Sequence, residues 1–84
     1  MSPRRPFSPD SSLVGLGRVV KTLRKEAGLT QLELAARADL DNSMVSRIEQ
    51  GERNPTWATI SRLSSGLEVP MWALVKRAHE WGRG

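Results

Sequence analysis

There is no cysteine among the 84 residues. That excludes a disulfide framework and any zinc site built on thiolates, and it fits a reducing compartment. Aromatics are scarce, at 5%, and runs rich in β-branched and aromatic residues are missing, which argues against a β-sandwich. No stretch approaches the roughly 18 apolar residues of a membrane span. Arg4 and Arg5 are followed by no apolar segment of signal-peptide type. The single histidine, His79, has no second ligand at metal spacing. Ser64 and Ser65 lack a base partner, so nucleophilic catalysis has no support. The seven glycines form no phosphate-cradling loop. The expectation is a chain that is not an enzyme, with no catalytic residues, no metal, no cofactor and no membrane partner.

What remains is enough for one small domain with a thin core. Apolar residues make up 38%, the formal charge is +4 and the sequence pI is about 10.7. Such a basic balance suits an anionic partner, nucleic acid first among them.

Residues 1–10, MSPRRPFSPD, are too polar and proline-rich to bury surface and read as a flexible basic arm. Residues 11–81 read as the folded domain. Helix 1 is expected from Leu13 to Ala27, with Asp10, Ser11 or Ser12 as its N-cap and Leu16, Val20, Leu23 and Ala27 as its apolar stripe. Gly28 suits a left-handed stop. Helix 2 starts at Thr30, where Thr30 and Glu33 have the spacing of a capping box. Its inner face is Leu34, Ala35 and Ala38, and Asp39 is expected in the left-handed region. Helix 3 follows Asp41 and ends at Gly51. Val45 and Ile48 point inward, so Ser43, Ser46, Arg47 and Gln50 face out, with Asn42 in the first turn and Met44 on the flank. Thr56 caps helix 4, which turns Ile60, Leu63 and Leu67 inward. Pro70 opens helix 5, which carries Trp72, Leu74, Val75 and Ala78. At least one of Trp57, Trp72 and Trp81 is expected in the core.

Two short helices across a tight turn make a helix-turn-helix unit. In a DNA-binding unit of that kind the second helix enters the major groove and the first braces it. A face of Ser, Arg, Gln and Asn can exchange hydrogen bonds with base edges, which an apolar face cannot. The basic residues Arg18, Lys21 and Arg53, with Arg4 and Arg5 of the arm, are candidates for phosphate contact.

The segment GRVVKTLRKEAGLTQLELAARADLDNSMVSRIEQGERNPTWATISRLSSGLEV resembles the Cro/XRE-type helix-turn-helix family, the DNA-binding domains of lambda-repressor-like proteins. The resemblance covers roughly residues 13–75. It rests on the GLTQ-x-x-LA stretch, the V-S-R-I-E-x-G helix and the R-N-P turn, with Asp39 standing where the family usually has glycine. It implies an all-α domain of five helices around one core, with double-stranded DNA as ligand. By matching position, Asn42, Ser43 and Arg47 would read bases, with Met44 and Ser46 beside them. Thr30, Gln31, Arg53 and Asn54 would touch the phosphate backbone. Gln31 would also brace the reading helix, and Arg24 and Glu49 would pair between helices 1 and 3. Met71 and Trp72 fall where family members pair about a two-fold axis.

The expected function is therefore a sequence-specific transcriptional regulator, a cytoplasmic, nucleoid-associated repressor that occupies its operator as a homodimer. RNA polymerase and a cognate toxin are further partners that such a regulator would meet. The alternative is a protein-interaction module, antitoxin-like, that uses the same helical fold to bind a partner through helix 5 and its tryptophans.

Overall fold

A computed structural model describes residues 9–81. Five helices account for most of them: α1 (Pro9–Glu26), α2 (Gln31–Ala38), α3 (Asn42–Glu49), α4 (Trp57–Leu67) and α5 (Met71–Glu80). No strand occurs among the described residues. Helix α1 runs along α5 and crosses α3; α2 packs between α3 and α4; α4 meets α5.

The first four helices all stop in the same way. Gly28, Asp39, Gly51 and Glu68 each take a left-handed backbone, with φ of 74°, 57°, 76° and 60°. In each case the next amide bonds back to a carbonyl five residues earlier: Leu29 to Arg24, Leu40 to Ala35, Glu52 to Arg47 and Val69 to Ser64. That is the Schellman closure, which satisfies carbonyls the helix end would leave open. At three of the four stops the residue after the turn is apolar, and Leu29, Leu40 and Val69 all pack onto the core. Asp39 matches the expectation for that position. Glu68 was not foreseen, because glutamate carries no strong preference for a left-handed backbone.

The starts of α2 and α4 are capped as the spacing predicts. The Thr30 hydroxyl accepts from the Glu33 amide at 3.0 Å, and the Glu33 carboxylate accepts from the Thr30 amide at 2.8 Å. Thr56 does the same for Thr59 at 3.1 Å. Asp41 stands at the head of α3 with no side-chain cap bond. Helix α1 begins at Pro9, four residues before the expected Leu13, because proline fits a first helical turn, where no N–H is required. Pro9 and Asp10, expected in the arm, are therefore helical. The side chains of Asp10, Ser11 and Ser12 lie outside the described residues, as do residues 1–8 with Arg4 and Arg5.

Every helix gives the core at least one side chain with essentially no solvent exposure: Val20, Leu34, Val45, Ile48, Leu63 and Leu74. Each stabilises the fold by roughly 1.5–3 kcal/mol relative to an exposed position. Two expectations fail. Ala27 is exposed, since it follows the last residue of α1, and Val19 takes its place inside. All three tryptophans also lie at the surface, with Trp57 at 66%, Trp72 at 69% and Trp81 at 43% exposure.

The cause lies in two glycines of α1. A Cβ on Gly17 would collide with the carbonyl oxygens of Ile48 and Glu49, coming within 2.7 Å of the latter. A Cβ on Gly15 would sit 2.7 Å from the Ala78 carbonyl oxygen. Both neighbours are backbone, so neither can swing aside. The helices approach so closely that valine and leucine fill the space between them and no indole is needed.

Candidate nucleic-acid interface

The three residues between the end of α2 and the start of α3 leave little freedom, and Asp39 and Leu40 remove most of what is left through the closure described above. Helix α3 is then fixed from behind. Val45 and Ile48 are buried, and so is Glu49 at the helix end. The Glu49 carboxylate takes three hydrogen bonds: two from Arg24, at 2.7 Å from Nε and 3.0 Å from one terminal nitrogen, and one from Gln31 Nε2 at 3.0 Å. The other terminal nitrogen of Arg24 donates to the Leu29 carbonyl at 2.8 Å. One carboxylate thus ties α1, α2 and α3 together. The bond to Glu49 is the main cause raising the Arg24 pKa above its ordinary value; burial opposes the shift and the Glu49 charge adds to it. No buried side-chain nitrogen or oxygen among the described residues is left without a partner. Capping lowers the pKa of Glu33, first through the Thr30 amide and then through the Thr30 hydroxyl.

With its inner face held, α3 turns Asn42, Ser43 and Arg47 fully outward. Ser46 is half-buried and accepts a hydrogen bond from Gln50 Nε2 at 3.1 Å. Gln50 is exposed and extends the polar row by one turn. Met44 is half-buried and packs against the core, so only its flank is turned out. Thr30 is exposed at the head of α2, with its hydroxyl engaged in the cap, and Gln31 beside it is half-buried. Arg53 and Asn54 are exposed in the loop after α3. These residues are near one another in the chain or joined through Glu49.

Two of the basic candidates are placed differently. Lys21 is exposed on α1. Arg18 lines a cleft with Val19, Thr22, Arg77, Glu80 and Trp81, between α1 and α5. That cleft is lined by α1 and the end of α5 alone, with no residue of α2 or α3. A different surface holds Met71 and Trp72, which border an apolar depression with Trp57, Val75, Lys76 and His79. Sequence reading assigned only Met71 and Trp72 to an interface and took Trp57 as one of three candidates for the core; the structure sets it beside them at the surface.

A helix-turn-helix family model matches residues 20–71, from the second half of α1 to the first residue of α5. The chain belongs to the helix-turn-helix family. Among solved structures this helix-turn-helix protein is similar to the restriction-modification controller protein C.AhdI from Aeromonas hydrophila. The two are 35% identical with a TM-score of 0.72, over 74% of this chain and 94% of that one. It is also similar to the controller protein C.Esp1396I, solved as a tetramer in complex with its natural 35 base-pair operator. That match is 32% identical with a TM-score of 0.75, over 82% of this chain and 91% of the other. An immunity repressor protein of Bacillus phage phi105 is 40% identical over 45 residues, which are 54% of this chain and 31% of the repressor. The chain thus spans about a third of that repressor's length. Among the described residues, no helix is long and apolar enough to cross a membrane, and no group of three His, Cys, Asp or Glu side chains could hold a metal ion.

Proposed function

We propose that this helix-turn-helix protein binds a specific double-stranded DNA sequence and regulates transcription, acting as a repressor by occupying its operator as a homodimer. The observation that carries the reading is the contrast across α3: its inner side is buried and tied by Glu49, while Asn42, Ser43 and Arg47 stand free in solvent. A rigid helix with a polar outer side is what major-groove readout requires. Arg47 would make the main base contact, with Asn42, Ser43, Met44 and Ser46 around it. Thr30, Gln31, Arg53, Asn54 and Lys21 would meet the backbone phosphates. Met71 and Trp72, joined by Trp57, would meet a second copy, placing two reading helices about one DNA turn apart on a palindromic site.

Selection of bound duplexes from a random pool tests this directly. The expected product is a motif with two-fold symmetry. Affinity for it should fall steeply with salt, at a log–log slope near −0.9 per phosphate neutralised. Enrichment of no sequence, or an affinity indifferent to salt, would sink the reading. Arg47→Ala should weaken specific binding by about 1–3 kcal/mol while leaving nonspecific binding nearly unchanged.

A second reading draws on the exposed Trp57 and Trp72, a surface that suits protein contact. On that reading the chain is a partner-binding module, and it would retain no preferred duplex after selection.

A further inference from the structure

We propose that the cleft between α1 and α5 is a binding site for a small organic anion with a planar ring, separate from the surface that would meet DNA. The cleft measures about 220 Å³ and is lined by Arg18, Val19 and Thr22 from α1 and by Arg77, Glu80 and Trp81 from the end of α5. Its two walls are facing helical stripes. Gly15, Arg18 and Thr22 follow one another at three and four residues along α1, and Glu80 and Trp81 lie three and four residues after Arg77 at the end of α5. The missing side chain at Gly15 fixes their spacing. A Cβ there would touch the Ala78 carbonyl oxygen and come within 3.3 Å of Trp81 Cβ. The last turn of α5 is therefore seated against α1, and the Trp81 ring is held at the rim, 43% exposed.

The chemistry of the walls selects the occupant. Among the described residues, neither Arg18 nor Arg77 makes an ion pair or a side-chain hydrogen bond. The one carboxylate at the cleft, Glu80, is paired with Lys76 at 3.3 Å. Two guanidinium groups, one from each wall, can both donate to a carboxylate or phosphate, and guanidinium geometry favours such planar acceptors. The Thr22 hydroxyl adds a further donor. Trp81 offers a flat apolar face on which a ring can stack. The volume exceeds that of a cavity known to take benzene, about 150 Å³, so one ring with its charged group fits. The site stands apart from the DNA reading: it uses none of the α2–α3 surface, and it would survive the failure of that reading.

Titration of the full chain with benzoate, followed by two-dimensional amide and indole NMR, tests the proposal, with benzamide as the uncharged comparison. Saturable shifts are expected at Arg18, Thr22, Arg77 and the Trp81 indole, and much smaller ones with benzamide. Arg77→Gln and Arg18→Gln, both at exposed positions, should each weaken benzoate about tenfold, with the spectra themselves reporting that the fold is intact. The proposal is overturned by shifts that do not saturate, by equal shifts from benzamide, by indifference to both substitutions, or by shifts centred on α2 and α3.

Discussion

Two exposed regions of this molecule are built in opposite ways. The outer side of α3 is polar and stiff: behind it lie Val45, Ile48 and a carboxylate with three donors. The face shared by the start of α4 and the start of α5 is apolar, and its large side chains, Trp57 and Trp72, are about two-thirds exposed. Between Met71 and Val75 that face sends only Leu74 fully into the core. The first region spends its buried contacts on orientation; the second leaves its apolar area uncovered. Two large apolar side chains left this exposed side by side mark a candidate contact surface. The contrast teaches that burial and exposed hydrophobicity are divided by face and not by helix: α4 and α5 pack on α1, α2 and each other through Leu63 and Leu74, yet keep an apolar outer face that α3 does not have.

The comparison can be broken first from the stiff side. Gly17→Ala should cost the most, more than about 3 kcal/mol, because the new methyl group meets two carbonyl oxygens that cannot yield. The denaturant midpoint would report the loss, and a midpoint near that of the parent would show that α1 can move away from α3. Glu49→Ala comes next, at about 3 kcal/mol, since it strands the buried Arg24 guanidinium and frees Gln31. The melting temperature should fall before DNA affinity does; a variant of unchanged stability would remove the brace from the account.

Trp72→Ala sharpens the other side. The residue is so exposed that thermal stability should stay within about 0.5 kcal/mol of the parent. Self-association, read by sedimentation equilibrium, should weaken at least about tenfold, the loss expected of a central interface aromatic. A parent protein that sediments as a monomer at every concentration, with and without its selected duplex, would dispose of the homodimer. The smallest effect concerns acid. The folded-state pKa of Glu33 is lowered by the cap, so its contribution is present above the unfolded pKa and is lost as pH falls through the folded one. Glu33→Gln should therefore show a shallower loss of stability between about pH 5 and pH 3, measured as the pH dependence of the denaturant midpoint.

Much of the architecture was legible in the residues because local chemistry decides it. Thr30 with Glu33, Thr56, Gly28, Asp39 and Gly51 mark helix ends by side-chain reach or backbone preference, and these need no knowledge of the rest of the fold. The inward pair Val45 and Ile48 follows from period alone, and the outward row of α3 follows from the pair. The tryptophans were misjudged for one reason, separate from the proline that moved the start of α1. Where a large side chain ends up depends on how near the helices come, and that distance is set by Gly15 and Gly17. Two glycines two residues apart inside an apolar helical pattern are the visible sign of a close crossing. The position of Arg18 was hidden for the same reason: the cleft it lines exists only because α5 sits against Gly15.

The crossing at Gly17 also sets a condition on moving this reading unit elsewhere. The angle at which α3 stands is recorded partly outside residues 30–51, in a hollow on α1 that receives the last carbonyls of the helix. A graft of those residues alone onto another helical scaffold would lose its aim, and one that brought the α1 glycine and Arg24 along would keep it.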